Sequence, residues 1–458
     1  MVAFLDDDPG KIGSPINGIP VAGPLTDVAA ILKEIPADEA IIAIPSATSE
    51  QLKKIYAVVS RAPFSRIKIL PRLSQILDNS AHLVQTREIN PEDLLGRTPV
   101  KVSLKKSLAY LRGKRVLITG AGGSIGSELA RQLLSGGAAR LYLFGHGENS
   151  LYEIERELRI LQQGGVGEKA TIIPILGELQ DGDYIRYLLD RLAADVIFHA
   201  AAHKHVPLLE ENPVEAIKNN VFGTLHLVEA ARAARTERFV LVSTDKAVEP
   251  MSVYGASKLL AEEIVLSAGD NRFMVVRFGN VLGSRGSILP LFRRQIASGG
   301  PVTLTHPEMR RFFMTIPEAV SLVLKAGGTG NGGELYVLDM GEPVLVKDLI
   351  HQLIQFYGYT PETDIRIAVT GLRGGEKLEE KLSRDCEELE ATDFPKILKV
   401  NREPILSREL GSFLREVRPV CYFDPSQPDL FRDRERLKTI LSATVPSLPC
   451  LVGHEQVR

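Results

Sequence analysis

Cysteine is scarce in this sequence: Cys386, Cys421 and Cys450 are the only three in 458 residues. They show no Cys-x-x-Cys or Cys/His spacing, which argues against a disulfide framework or a zinc site and fits a reducing compartment. No stretch approaches the ~20 consecutive apolar residues that a membrane span needs. A net charge of -2 at pH 7 gives no general attraction to nucleic acid or to anionic membrane. The N-terminus, Met1-Val-Ala-Phe-Leu-Asp-Asp-Asp, turns acidic too early for a secretory signal, so a cytoplasmic location is expected. Internal repeats are lacking too. The chain is longer than one ordinary domain, and its ordinary apolar and charged content is that of a soluble globular protein.

Residues 1–95 read as a small α/β unit, with a short buried strand at 39–45, an amphipathic helix at 49–60 and a strand at 67–71. This unit has no glycine-rich phosphate loop. It opens in mid-pattern at Val2-Ala-Phe-Leu-Asp6, so it reads as an incomplete Rossmann-like unit. A polar, charge-mixed connector follows, and the linker is placed at 96–111. From 112 to 402 the pattern becomes regular. Strands at 115–120, 141–144, 171–176, 196–200, 238–244 and 273–278 alternate with helices at 124–134, 151–162, 184–192 and 214–235 and from 253 onward. Strict alternation implies right-handed crossovers and a parallel sheet with helices on both faces. The expected fold is therefore α/β, a Rossmann-type doubly wound parallel sheet, with a substrate-binding lobe mainly after residue 280. The tail, 403–458, carries prolines and charges and no strong period.

Thr119-Gly-Ala-Gly-Gly-Ser-Ile-Gly126 follows a strand and opens a helix. Gly120, Gly123 and Gly126 allow a tight turn and close approach of backbone to phosphate, while Ser124 and Ile125 open the helix whose N–H groups would face a pyrophosphate. The spacing is that of short-chain dehydrogenases. The next strand ends Phe144-Gly-His-Gly-Glu148. Gly145 stands where an acid would repel a ribose 2′-phosphate, and His146 could meet such a phosphate. NADP is therefore preferred narrowly over NAD, with Glu148 as the alternative ribose contact. Glu178, after the third strand, is a candidate for the adenine.

The chemistry is carried by Ser243-Thr-Asp-Lys246 and Tyr254-Gly-Ala-Ser-Lys258. Tyr254 and Lys258 lie one helical turn apart. A lysine ammonium beside a tyrosine favours the phenolate, so a Tyr254 pKa lowered toward neutrality is expected, suited to taking a proton from a substrate hydroxyl. Thr244 can bond the same oxygen. Asp245 and Lys246 are two further proton-transfer groups, which a simple dehydrogenase does not need and an elimination does.

Thr244-Asp-Lys-Ala-Val-Glu-Pro250 followed by Tyr254-Gly-Ala-Ser-Lys258 resembles the UDP-N-acetylglucosamine 4,6-dehydratase family. These are the CapD-like polysaccharide-biosynthesis proteins, extended short-chain dehydrogenases. Similar stretches include 201–207, 220–224, 276–287, 307–317, 338–341 and 371–377, and the likeness runs from about 2 to about 399. Residues 4–9 resemble the cytoplasmic domain that long members place after membrane helices. The resemblance implies that Tyr254 takes the C4-hydroxyl proton, Lys246 removes the C5 proton and Asp245 protonates the departing C6 oxygen, with the cofactor recycled. Lys258 would hold the nicotinamide ribose, and Ala200 and Ala201 would border the cofactor. Lys204, Asn280, Arg311, Arg373 and Glu376 would contact the UDP-sugar, and Asn220 would support the active-site hydrogen bonds. A homo-oligomer is expected.

This chain departs from the family pattern at several positions. Tyr254 stands where many long members have methionine, His203 where many have an aromatic or aliphatic residue, Gly374 for a proline and Gly145 for an acid. His203 and His205, with Glu210 and Glu211 following, suggest metal ligands at first sight. They have no recognised ligand spacing, so loop or substrate packing is preferred and no metal is expected. Two other readings remain. A C4 or C5 epimerase would share the fold, but a pure 4-epimerase needs Tyr254 without Asp245 and Lys246. A non-catalytic nucleotide-binding regulator would need none of Tyr254, Lys258, Asp245 and Lys246.

Overall fold

The computed structural model describes residues 1–44, 47, 49–69, 87–88, 108–269, 272–330, 332–402, 405–406, 409–445 and 447–448. It divides into two compact units. Most of the expected linker, 96–107, lies outside the described residues.

The smaller unit comprises Met1–Lys101, Ile288–Pro307 and Leu345–Thr370. Strand Glu39–Ile42 pairs in parallel with Arg66–Ile69. The helix Ser49–Val59 supplies Leu52 to a small core with Ile42, Ile69 and Phe356. The Tyr56 and Phe356 rings stack at 4.4 Å, a geometry that adds to their area burial. Segments 288–307 and 345–370, which the sequence pattern assigns to a substrate lobe, group here with the N-terminal residues.

The larger unit comprises Val102–Ser287, Glu308–Val344 and Gly371–Arg458. The strands of its main sheet are β1 (Arg115–Thr119), β2 (Arg140–Gly145), β3 (Thr171–Leu176), β4 (Val196–His199), β5 (Arg238–Thr244), β6 (Phe273–Phe278), β7 (Glu334–Leu338), β8 (Glu388–Ala391) and β9 (Ile397–Asn401). They form one sheet in the order β8-β9-β7-β6-β5-β4-β1-β2-β3. Strands β1 to β7 are mutually parallel, and the edge pair β8 and β9 runs antiparallel. Val116, Leu117, Ile118, Phe198, Phe239 and Phe273 are fully buried, as a sheet covered on both faces requires. Strand order reverses between β1 and β4, and ligands of such sheets bind at the carboxyl ends of the strands at this switch. The register pairs Thr119 with His199 and His199 with Leu241, so the segments that leave β1, β4 and β5 emerge at one edge.

Helices α1 (Ser124–Ser135), α2 (Glu148–Gln163) and α3 (Gly182–Leu192) follow the first three strands. The expected helix at 214–235 is interrupted: Ile217–Phe222 is π-helical, between Pro213–Ala216 and Gly223–Ala233. Such bulges concentrate at functional sites, and this one carries Asn219 and Asn220. Helix α4 (Val253–Leu266) bears Tyr254 and Lys258. The tail corrects the sequence reading. It forms α5 (Leu410–Cys421) and α6 (Arg434–Thr444), whose Phe413, Val417, Val420, Leu437 and Leu441 join the main core.

Candidate functional site

The glycine loop leaves β1 with Gly120 in the left-handed region at φ +66°, where a Cβ would come within 2.8 Å of the Ala201 backbone. A Cβ on Gly126 would run into the Gly120 carbonyl oxygen. The sequence turns here because no other residue fits. The N-cap of α1, Gly123, supplies no side-chain cap, so the helix presents unsatisfied N–H groups to whatever occupies the loop. A cavity of about 240 Å³ opens beside it, lined in part by Gly120, Gly123, His146, Ala200, Ala201 and Arg285. Of the sequence candidates, Ser124, Ile125 and Gly126 shape the loop without lining this cavity. Glu148 and Glu178 do not line it either and are exposed. Glu148 sits in the first turn of α2, where its charge suits the helix dipole. Space is open where a side chain at 145 would begin.

Arg285 was not singled out from the sequence. Its backbone N–H donates to Ser124 Oγ at 3.0 Å and its guanidinium to the Gly122 carbonyl. Lys204 Nζ donates to the Arg285 carbonyl at 2.7 Å, so Lys204 fastens the 283–287 loop. His205 packs against Gly286. Glu210 accepts from the Val253 N–H at 2.7 Å, at the start of α4. These contacts favour loop packing for the 203–211 stretch.

Strand β5 delivers Thr244 into a short turn, Asp245–Ala247. Asp245 is 0% exposed. Its Oδ1 accepts from Thr244 Oγ1 at 2.9 Å and from Lys246 Nζ at 3.0 Å, while its Oδ2 has no hydrogen-bond partner. Lys246 Nζ also donates to Asn280 Oδ1 at 3.2 Å and lies 3.5 Å from Glu380 Oε1. Burial pulls the Lys246 pKa down, but the charges of Asp245 and Glu380 outweigh it and hold the ammonium above the usual lysine range.

Ser252 caps α4 by accepting from the Gly255 N–H at 3.1 Å. A Cβ on Gly255 would strike the Lys246 carbonyl and lie 2.9 Å from Pro250 Cβ, so this glycine lets the helix start against the Asp245–Ala247 turn. Tyr254 is buried at its head. The expectation of a Tyr254 pKa near neutrality is not met. Burial pushes the hydroxyl up to about 12, against the pull of the Lys246 charge. Lys258 is held by backbone. Its Nζ donates to the Val242 carbonyl at 2.9 Å, and burial pushes it down to about 8 against Glu262. Asn220 accepts from the His203 N–H and donates to the His203 carbonyl and to Ser257 Oγ, each at 2.9 Å. It therefore ties the loop after β4 to α4 through the π-bulge.

The remaining sequence candidates separate. Asn280 joins the Lys246 cluster. Arg311 does not point an open fork at a pyrophosphate: it donates to the carbonyls of Arg310, Lys377 and Leu378 at 2.7–3.0 Å. Arg373 is exposed, and its N–H donates to Glu376 in a local turn. What this segment contributes to the cluster is Glu380, three residues past the stretch that carries the family likeness.

A family model described as "Polysaccharide biosynthesis protein" matches residues 116–402. A probable polysaccharide biosynthesis protein EpsC of Bacillus subtilis is 45% identical over 399 residues, 86% of this chain and 66% of the relative. The chain thus spans about two thirds of that relative's length. An inverting UDP-N-acetylglucosamine 4,6-dehydratase of Campylobacter jejuni is 30% identical over 276 residues, 58% of this chain and 77% of the relative. Among solved structures, Pen from Bacillus thuringiensis is similar, with TM-score 0.57 and 33% identity over 64% of this chain and 88% of that one.

Proposed function

The chain belongs to the polysaccharide biosynthesis protein family, and from that premise we propose that it is a nucleotide-sugar 4,6-dehydratase acting on UDP-N-acetylglucosamine or a related UDP-sugar. The observation that carries this reading is the part-buried Asp245–Lys246 ion pair, hydrogen-bonded at 3.0 Å beside Tyr254. A group that takes a proton and a group that gives one stand next to each other. The kinship with a 4,6-dehydratase supports the same reading.

The glycine cradle fits a dinucleotide, because Cβ atoms at Gly120 and Gly126 would close it. When bound, NAD or NADP supplies a two-electron acceptor that is restored within the turnover. The open space at Gly145, with His146 beside it, supports NADP over NAD. Tyr254 accepts the proton of the C4 hydroxyl as the phenolate, the form that burial disfavours and the Lys246 charge favours. Transfer of one proton from Lys246 Nζ to Asp245 Oδ1 turns the ion pair into a neutral amine and a carboxylic acid. The amine takes the C5 proton, the acid protonates the C6 oxygen, the C6–O bond breaks and water leaves. That leaves the pair as ammonium and carboxylate; as hydride returns to C6, Lys246 gives its proton back to C5 and is recharged by the proton that Tyr254 took from the C4 hydroxyl, so the net loss is one water.

Incubation with UDP-N-acetylglucosamine is expected to yield a 4-keto-6-deoxy nucleotide sugar, lighter than substrate by one water, with no build-up of reduced cofactor. Mass spectrometry and near-ultraviolet absorbance read both. Accumulated reduced cofactor with undehydrated sugar would refute the proposal. Gly126→Ala is expected to weaken dinucleotide binding ~10-fold or more, from an overpacking cost of about 1–3 kcal/mol. Fluorescence titration checks it, and wild-type affinity would contradict the placement of the cofactor.

A further inference from the structure

Glu380 is 5% exposed, in a segment that follows the family-like stretch 371–377. Its Oε1 lies 3.5 Å from Lys246 Nζ and its Oε2 3.7 Å from Lys377 Nζ. Both distances are longer than the 2.7–2.9 Å of a tight charge-assisted bond. Oε2 has no hydrogen-bond partner, and Lys377 gives its own hydrogen bond to the Val248 carbonyl at 2.6 Å. A carboxylate buried this deeply is costly unless it is paired and bonded. As a structural salt bridge Glu380 is therefore poor. What it does supply is a second negative charge on the amine that also bonds Asp245. Asp245 Oδ2 is likewise unpartnered, so the polar groups left unsatisfied here collect around Lys246. Unsatisfied buried groups call for an explanation of this kind.

We propose that Glu380 is a positioning residue of the elimination: it steadies the Lys246 ammonium alongside Asp245 and Asn280 and so keeps on the Asp245–Lys246 pair the proton that the departing C6 oxygen receives. The inference rests on the dehydratase reading for its consequence, but its physical content concerns Lys246 alone. The charged and titratable groups around Lys246 are Asp245 and Glu380, which favour the ammonium, and Arg311, Lys204, Lys377 and Tyr254. Removing the Glu380 charge leaves Arg311 less opposed. The Lys246 amine then deprotonates at lower pH.

The test compares the full chain with Glu380→Gln and Glu380→Asp in two readouts. The first is the pH profile of dehydration of UDP-N-acetylglucosamine. The second is the pH dependence of Lys246 acylation by an amine-reactive anhydride, followed by peptide mass spectrometry, which needs neither substrate nor turnover. In Glu380→Gln the alkaline-falling limb, where the pair loses the proton that Asp245 must receive, and the acylation midpoint are both expected to move to lower pH by about 1–3 units, the size of shift an opposite charge at this range produces. Glu380→Asp keeps the charge on a shorter arm, so its midpoints stay near wild type while kcat falls. An acylation midpoint unmoved in Glu380→Gln, or moved equally in Glu380→Asp, overturns the inference. Should the wild type fail to dehydrate the sugar while the acylation midpoint still moves in Glu380→Gln alone, the functional reading fails and the control of Lys246 by Glu380 stands.

Discussion

Lys246→Ala is expected to lower formation of the dehydrated sugar by ~10²–10⁴-fold, the usual worth of a positioned acid or base, while the protein still oxidises the sugar at C4. The prediction follows from the division of labour at the end of β5. In the proposed reaction Tyr254, at the head of α4, takes up the first proton, and Lys246 acts only once a ketone has made the C5 proton acidic. Asp245→Asn removes the acid and is expected to stop the reaction at the same stage. Tyr254→Phe, in contrast, is expected to abolish both stages. Rapid mixing with substrate, watching reduced nicotinamide and product together, separates the cases: Lys246→Ala forms reduced cofactor and holds it. The same variant discriminates against the epimerase reading, because a 4-epimerase would survive loss of Lys246. Full dehydratase activity in Lys246→Ala would remove the ground for assigning an elimination.

The second large effect concerns the support beneath this turn. Arg277→Met is expected to destabilise the protein by about 3–5 kcal/mol, the range for breaking a buried ion pair from one side. That is a large share of the roughly 5–15 kcal/mol that holds a typical domain folded. Arg277, on β6, is 0% exposed and donates to Glu262 Oε2 at 2.7 Å, to Glu387 at 3.2 Å and to the Leu382 carbonyl at 3.2 Å. Arg402 forms an ion pair with Glu263 at 2.7 Å in the same cluster. Ser243, two residues before Asp245, donates its hydroxyl to Glu262 at 2.5 Å, so the network reaches the Asp245–Ala247 turn.

The pH dependence of this effect follows from Glu262. Burial raises its pKa, but Arg277 and its other partners outweigh burial and leave it below the usual glutamate value. A carboxyl depressed in the fold stabilises it above the unfolded pKa and loses that contribution as pH falls through the folded pKa. In Arg277→Met the burial is left without its main counterweight, and ionised Glu262 becomes a liability. The deficit relative to wild type is therefore expected to be smaller in acid, where Glu262 is protonated, than at neutral pH. Urea denaturation at several pH values measures it. Equal stability of the two proteins at neutral pH would show that the pairing contributes nothing.

The sheet and its loop were legible in the sequence because they depend on local pattern. Apolar runs such as Arg115–Thr119 and Arg238–Thr244, split by helical periods and closed by Gly120, fix β1 to β6 and the cradle with little outside help. The pairing of Asp245 with Lys246 could be read because the two are adjacent. Glu380 could not, because its meaning depends on a fold that brings it from 134 positions away to Lys246. Arg311 makes a related point: sequence shows that a fork exists, and only packing shows that the backbone carbonyls of 377 and 378 accept from it. The Tyr254 pKa was misjudged because spacing reveals the nearby lysine and conceals the burial that outweighs it. In the tail a signal was available. Leu410, Phe413, Val417 and Val420 recur at helical spacing, but Pro419 inside α5 masks it.

The central claim is that the electrons taken from C4 return to C6 of the same sugar. Incubating the protein with UDP-N-acetylglucosamine deuterated at C4, and reading the product by NMR, tests this most directly. The account predicts a 4-keto-6-deoxy sugar whose C6 methyl carries the deuterium. A C4 epimer that keeps deuterium at C4, or a ketone whose C6 hydroxyl is still in place, would contradict it.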